Sequence, residues 1–218
     1  RLNVGMARND TEALAEAADL YRALADQAAR DKSPEAERVR INLASALSAR
    51  AAISGDMPLL KESIAIYRGV FGPDPAASLS QDWRSAVTFA QALRSLGQNT
   101  ADAAPLQESA SVLEVVAQLA PDPPEAQNRA FFRFNDGDTL LALADGTGGT
   151  DKLRRAVAAY REGDAFYTPE AFPDHWRQSR GALANALLTL GTKAADASAL
   201  SEAAGIYRSL LAATAREG

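Results

Sequence analysis

The chain has 218 residues, 47% apolar and 23% charged, a composition that specifies a folded protein and excludes a disordered one. Net charge −5 with a pI near 5.0 excludes the basic face that a nucleic-acid footprint needs, and no apolar run approaches the roughly 18 residues of a membrane span. The absence of cysteine excludes disulfides, thiolate catalysis and Cys-ligated zinc, and the single His175 leaves little room for imidazole chemistry.

Forty-eight alanines against 14 aromatic residues mean that close helix contacts must do much of the packing that large side chains usually do. An internal period organises those helices. Tyr21-Arg22, Tyr67-Arg68, Tyr160-Arg161 and Tyr207-Arg208, with Leu113-Glu114 at the halfway point of the long gap, stand 46, 46, 47 and 47 residues apart. Seven residues before each anchor is Leu14, Leu60, Leu106, Leu153 or Leu200, and four before is a small residue, Ala17, Ser63, Ser109, Ala156 or Ala203. Offsets of four and seven make one stripe of a helix, here named B. Twenty residues before the later anchors lie Leu47, Leu93, Leu140 and Leu187, each preceded at three by Ala44, Ala90, Gly137 or Ala184, which marks a second helix, A.

In chain order the pattern predicts a B helix over 11–30, A over 34–51, B over 57–71, A over 80–96, B over 104–119, A over 123–144, B over 150–162, A over 173–190 and B over 198–214. Proline with an acid marks the starts at Ser33-Pro34-Glu35, Asp122-Pro123-Pro124-Glu125 and Phe172-Pro173-Asp174. Gly97 and Gly191 read as A-helix ends, since glycine favours the left-handed backbone there, and the stretches 98–104 and 191–197 read as loops. Gly5 stands sixteen residues before Tyr21, the offset of Gly97 from Leu113, so the chain is expected to open on the tail of an A helix and to be part of a longer protein. The organisation is then a half repeat over 1–31 and four repeats over 32–77, 78–121, 122–171 and 172–218 in one array.

The last unit carries the pattern most clearly: Trp176, Leu183-Ala184-Asn185-Ala186-Leu187, Leu190-Gly191, then Leu200, Ala203 and Tyr207-Arg208. It resembles the tetratricopeptide repeat (TPR) family, in a long-unit bacterial variety. The family's common unit is about 34 residues, so about a dozen extra must be housed here in longer helices and loops. The resemblance implies an all-α, right-handed solenoid of about four and a half antiparallel helix pairs, whose A helices line a concave side that holds peptides or partner segments. It carries no catalytic residues, no metal and no cofactor.

On that frame, the residue two before each A-helix anchor leucine points into the groove: Ser45, Gln91, Asp138 and Asn185. With them go Arg38, Arg84, Phe131 and Gln178 at nine before, and Ser48, Arg94, Leu141 and Leu188 at one after. Arginine with amides and hydroxyls suits an acidic or C-terminal carboxylate peptide, because a guanidinium grips a carboxylate through two hydrogen bonds. An ordinary solvated helix face would carry the same polar residues. A second stripe, Arg40, Arg133 and Arg180, offers an anion cradle or simply stems lying along the helix surface.

Asn135-Asp136-Gly137-Asp138 resembles the start of a calcium loop, but Thr147 stands where a bidentate Glu is needed, which leaves a contact position at Gly137 or a local helix break. Phe131, Phe132 and Phe134 read as a pocket or as core. Gly146 to Gly149 has neither a preceding strand nor a following Lys-Ser or Lys-Thr, and reads as a loop. His175 beside Trp176 reads as a helix-start or surface residue, and each Tyr-Arg pair as architecture, tyrosine packed and arginine in solvent. The expected function is a non-catalytic scaffold for a protein or peptide, cytoplasmic, with no nucleic acid or membrane partner. The alternatives are a sensor segment of a larger signalling ATPase or protease and self-association through the N-terminal edge.

Overall fold

The computed structural model describes residues 10–72, 82–119, 126–147 and 149–215, and among these every regular element is a helix. They fall into two compact units, 1–121 and 122–218. The first contains α1 (Thr11–Arg30), α2 (Ala36–Ser54), α3 (Met57–Phe71), α4 (Trp83–Thr100) and α5 (Ala103–Leu119). The second contains α6 (Ala126–Thr147), α7 (Thr150–Asp164), α8 (Pro173–Ala194) and α9 (Ala197–Thr214). The expected order of A and B helices is found throughout. The expected starts at 80–81 and 123–125 lie outside the described residues, as does Gly5.

Two-residue connections make each A helix antiparallel to its B helix. Their chemistry is the same in three repeats: a left-handed residue (Gly55, Ala101, Ala195) and then an aspartate (Asp56, Asp102, Asp196). The aspartate carboxylate accepts the first free N–H groups of the B helix, from Leu59 at 3.2 Å, from Ala104 at 2.9 Å, and from Ser198 and Ala199 at 3.0 and 3.1 Å. This corrects the sequence reading of the loops. Helices α4 and α8 run three residues past Gly97 and Gly191, and the left-handed position falls to Ala101 and Ala195, each with φ 54°. Asp102 and Asp196 donate back to the Gly97 and Gly191 carbonyls at 3.1 and 3.0 Å, closing the helix end five residues on. The glycines are there for space: a Cβ on Gly97 would lie 2.6 Å from Cγ of buried Leu106 and 2.9 Å from the Asp102 carbonyl.

Each pair closes where the two small residues meet. Ala44, Ala90 and Ala184 of the A helices and Ala17, Ser63, Ser109, Ala156 and Ala203 of the B helices are buried. Where the B residue is serine it is satisfied across the contact: Ser63 Oγ donates to the Ala44 carbonyl and Ser109 Oγ to that of Ala90, both at 2.8 Å. Helix α6 is continuous through Asn135–Asp138, so there is no helix break. The Tyr160 ring lies 2.7–2.9 Å from where a Gly137 Cβ would be, and Phe134 meets that ring edge-on at 5.6 Å. Gly137 is therefore the contact position, with the Tyr160 ring against its bare backbone. Phe132 is buried, Phe134 packs on the core and Phe131 is exposed. Gly146 and Thr147 end α6 and Gly149 caps α7, while Gly148 lies outside the described residues.

Glycine-to-alanine substitutions separate space from helix propensity. Gly97→Ala is expected to destabilise by about 1–3 kcal/mol through overpacking. Gly205→Ala, mid-helix with nothing within 4 Å of the new Cβ, is expected to stabilise by about 0.5–1 kcal/mol. Denaturant midpoints of the two variants check the opposite signs.

Candidate functional site

The anchor tyrosines decide what the predicted groove residues do. Tyr67 and Tyr160 are 0% and 1% exposed, so their hydroxyls need partners inside the pair, and in each case the partner is the residue 22 positions earlier. Tyr67 and Ser45 oxygens are 2.8 Å apart, Tyr160 donates to Asp138 Oδ1 at 2.6 Å, and Tyr207 to Asn185 Oδ1 at 2.5 Å. Three of the four polar residues two before the anchor leucine are thus bonded to the B helix of their own pair. Burial pushes the Tyr67 phenol above its ordinary range, which keeps it protonated. In the remaining repeat the anchor is Leu113, with no hydroxyl, and the matching residue is Gln91.

In three of the four Tyr-Arg pairs the arginine is not idle in solvent. Arg22 Nη2 bonds Glu62 at 2.8 Å, Arg68 bonds Glu108 through Nε at 2.9 Å and Nη2 at 2.5 Å, and Arg161 bonds Glu202 at 2.6 Å. The partner is always the glutamate five before the next anchor, on the next B helix of the same unit. Those hydrogen bonds raise the Arg22 and Arg68 guanidinium pKa values further. The sequence signal for this ladder was the recurring glutamate, which the anchor-centred reading passed over.

Of the predicted partner-binding residues, Ser45 and Gln91 come together in a cleft between α2 and α4 of the first unit. Its volume is about 360 Å³. Ser48, Ala49 and Ala52 form one wall and Thr88, Ala92, Ser95 and Asn99 the other, with Asp56 and Met57 at the end. Arg38, Arg84 and Arg94 are outside this lining. Arg38 pairs with Glu35 one turn away, Arg84 lies 4.7 Å over the Trp83 ring, and Arg94 is half-buried on α4. In the second unit Phe131 and Gln178 are exposed, and Asp138 and Asn185 serve the tyrosines. Leu188 is exposed and Leu141 packs on the core. The cleft residues missed from sequence, Thr88, Ser95 and Asn99, sit at five before, two after and six after the anchor leucine. The cleft runs from Ser45 and Thr88 toward the C-terminal ends of α2 and α4, whereas the expected stripe ran back to nine before the anchor.

In the Arg40, Arg133 and Arg180 stripe the last two make local pairs. Arg180 Nη1 meets Asp164 Oδ2 at 3.1 Å, and Arg133 Nε meets Glu162 at 2.7 Å. The Arg40 guanidinium reaches α3, with Nη2 2.7 Å from where a Gly69 Cβ would stand. Burial raises the Asp164 carboxyl pKa despite the opposing pull of Arg180 and Ser179. His175 stacks on Tyr167 at 5.2 Å, in a cluster with Phe166 and Phe172 that closes the α7–α8 connection. Among the described residues no group of three His, Cys, Asp or Glu side chains could hold a metal ion, and no helix is long and apolar enough to cross a membrane.

No family model matches the chain, and neither does any curated protein. Solved structures do. A point variant of a Podosopora anserina putative kinesin light chain, with nearly identical TPR-like repeats, is similar at TM-score 0.59 and 18% identity over 99% of this chain and 93% of that one. A second structure of that protein gives TM-score 0.55 and 17% identity over 94% and 91%. MamA from Desulfovibrio magneticus RS-1 gives 0.46 and 17% over 88% and 96%. The chain has a TPR-like, all-α helical repeat fold, the class that the sequence pattern resembles.

Two substitution sets test the site's framework. Ser45→Ala leaves the buried Tyr67 hydroxyl without its partner and is expected to cost about 1–3 kcal/mol; Tyr67→Phe removes the hydroxyl itself and costs about 0.5–1.5. A double-mutant cycle from urea unfolding measures their coupling. Exchanging the ladder charges, Arg68→Glu with Glu108→Arg, is expected to recover most of the up to about 1 kcal/mol lost by either single change.

Proposed function

We propose that this chain is a non-catalytic scaffold that recognises a segment of another protein, and that the α2–α4 cleft of the first unit is where the segment lies. The observation that carries the reading is the lining. Six uncharged polar side chains, Ser45, Ser48, Thr88, Gln91, Ser95 and Asn99, are set over Ala49, Ala52 and Ala92. Small side chains on both helices leave the width for an extended backbone, and the hydroxyl and amide oxygens can accept its N–H groups. The likeness to TPR-like repeat structures supports the fold on which such a cleft is built. The acidic or C-terminal peptide that the arginines pointed to would need Arg38 and Arg84, which stand outside the lining.

A displayed library of random dodecapeptides selected on the purified chain tests this. Enriched peptides are expected to lose at least tenfold in affinity, about 1.4 kcal/mol, on Ala52→Trp, which fills the cleft from an exposed position. They should be indifferent to Lys61→Glu on the exposed face of α3. Peptides that ignore Ala52→Trp would move the site elsewhere.

A further inference from the structure

The cleft has a hydrogen-bonding polarity that identifies the chemistry of its occupant. A hydroxyl has one hydrogen to give. Ser45 Oγ gives its hydrogen to the Ile41 carbonyl at 3.0 Å, so in the contact with Tyr67 the phenol is the donor. Ser63 gives its own to the Ala44 carbonyl, so in the 2.7 Å contact between Ser48 and Ser63 it is Ser48 that donates. Thr88 Oγ1 donates to the Arg84 carbonyl at 3.2 Å. Three cleft hydroxyls have therefore committed their hydrogens to the protein and turn only lone pairs outward. One of the two Asn99 Nδ2 hydrogens is also engaged, on the Ser95 carbonyl at 2.8 Å. Asp56 is the lining's one ionised group, and neither Lys nor Arg contributes. Ala51, Ala52, Ser95 and Asn99 belong to the last two turns of α2 and α4, so both helices also turn the negative ends of their dipoles toward this end of the cleft. Asp56 covers the opposing N-terminus of α3.

The second unit supplies its own occupant for the equivalent place. Lys193 stands six after its anchor leucine, as Asn99 does, and its Nζ donates to the carbonyl of Ala144 at 3.3 Å. Ala144 is the counterpart of Ala51 in the cleft wall, both four after the anchor. Leu141 stands where Ser48 does and packs on the core. In the first unit the lysine is replaced by Asn99 and the leucine by Ser48, and the cleft is open.

Resting on the reading of the cleft as a peptide site, we propose that the α2–α4 cleft takes a basic side chain, lysine or arginine, from an extended partner segment. The ammonium or guanidinium donates to Ser48, Thr88 and Asp56, at the level where Lys193 donates to the Ala144 carbonyl in the second unit. An acidic side chain would face Asp56 and the negative ends of two helices, and the hydroxyls of Ser45, Ser48 and Thr88 have no hydrogen left to give it. The net charge of −5 draws a basic segment at long range.

The probes are the pentapeptides acetyl-Ala-Ala-X-Ala-Ala-amide with X as Lys, Arg, Gln or Glu, titrated into the ¹⁵N-labelled chain and followed at the amides of Ser45, Ser48, Thr88 and Ser95. The Lys or Arg peptide is expected to bind at least tenfold more tightly than the Glu peptide, with Gln between them. Asp56→Asn, which keeps a capping side chain, should reduce that ratio at least threefold, and raising the salt should reduce it as well. Asn99→Lys should abolish binding of the basic peptides by placing the chain's own ammonium in the cleft, with the rest of the spectrum unchanged as the check on folding. A Glu peptide that binds at these amides as well as the Lys peptide overturns the basic preference and leaves the cleft as a peptide site. No shift at these amides with any peptide overturns both.

Discussion

The close contact between one small residue on each helix of a pair is the constraint from which the rest follows. Ala44 against Ser63 and Ala90 against Ser109 bring two backbones near enough for a serine hydroxyl to reach the facing carbonyl at 2.8 Å. At that separation an anchor tyrosine cannot lie flat between the helices. Its ring packs along the A helix, and its hydroxyl emerges beside the residue 22 positions earlier. The groove-side polar residue is therefore chosen first by the tyrosine, and only where the anchor is Leu113 does that demand lapse. Gly137 carries the same logic to its limit, since the Tyr160 ring occupies the volume of a side chain there.

A second set of contacts joins pair to pair. The ladder of Arg22 to Glu62, Arg68 to Glu108 and Arg161 to Glu202 is partly exposed, and each rung contributes little stability alone. Its value is in register: an arginine one after the anchor finds a glutamate five before the next, which fixes how far one B helix slides along another. Apolar packing tolerates such sliding better, because one aliphatic contact replaces another at small cost. At the same two offsets of the sequence, Glu114 and Arg155 carry the charges exchanged.

How much of this was legible in the sequence depended on whether a feature lay on one helix or between two. The 46- and 47-residue period, the helix order and the stripes at Leu14 to Tyr21 or Leu47 to Ala44 are properties of single helices, and periodicity displays them directly. Gly97 misled because glycine serves two ends, left-handed backbone and close approach; its neighbour Ala101 took the strained φ, and Leu106 took the space. Ser45, Asp138 and Asn185 look alike as exposed polar positions, and only the tyrosine 22 residues on shows that each is held within its own pair. Arg38 and Arg84 read as ligands for a carboxylate because a stripe was extended over two and a half turns. The cleft in fact begins at Ser45 and Thr88, beyond both arginines, and is lined mainly by alanine and serine on α2.

That lining explains why a cleft exists in one unit and a bridged surface in the other on the same fold. The backbone is held by the small-residue contact, so the width between neighbouring A helices is set by what their remaining faces carry. Ser48, Ala49, Ala52, Ala92 and Ser95 leave a volume near 360 Å³ with hydroxyls at its wall. In the second unit leucine replaces Ser48 and lysine replaces Asn99. The same space is then crossed by an apolar side chain packed on the core and by an ammonium bonded to the opposite helix. Of the two positions, Ser48 is tied to the A-to-B contact through Ser63, whereas Asn99 bonds back to the Ser95 carbonyl of its own helix, so the position that lysine takes in the second unit is the one less bound to the folding of the pair.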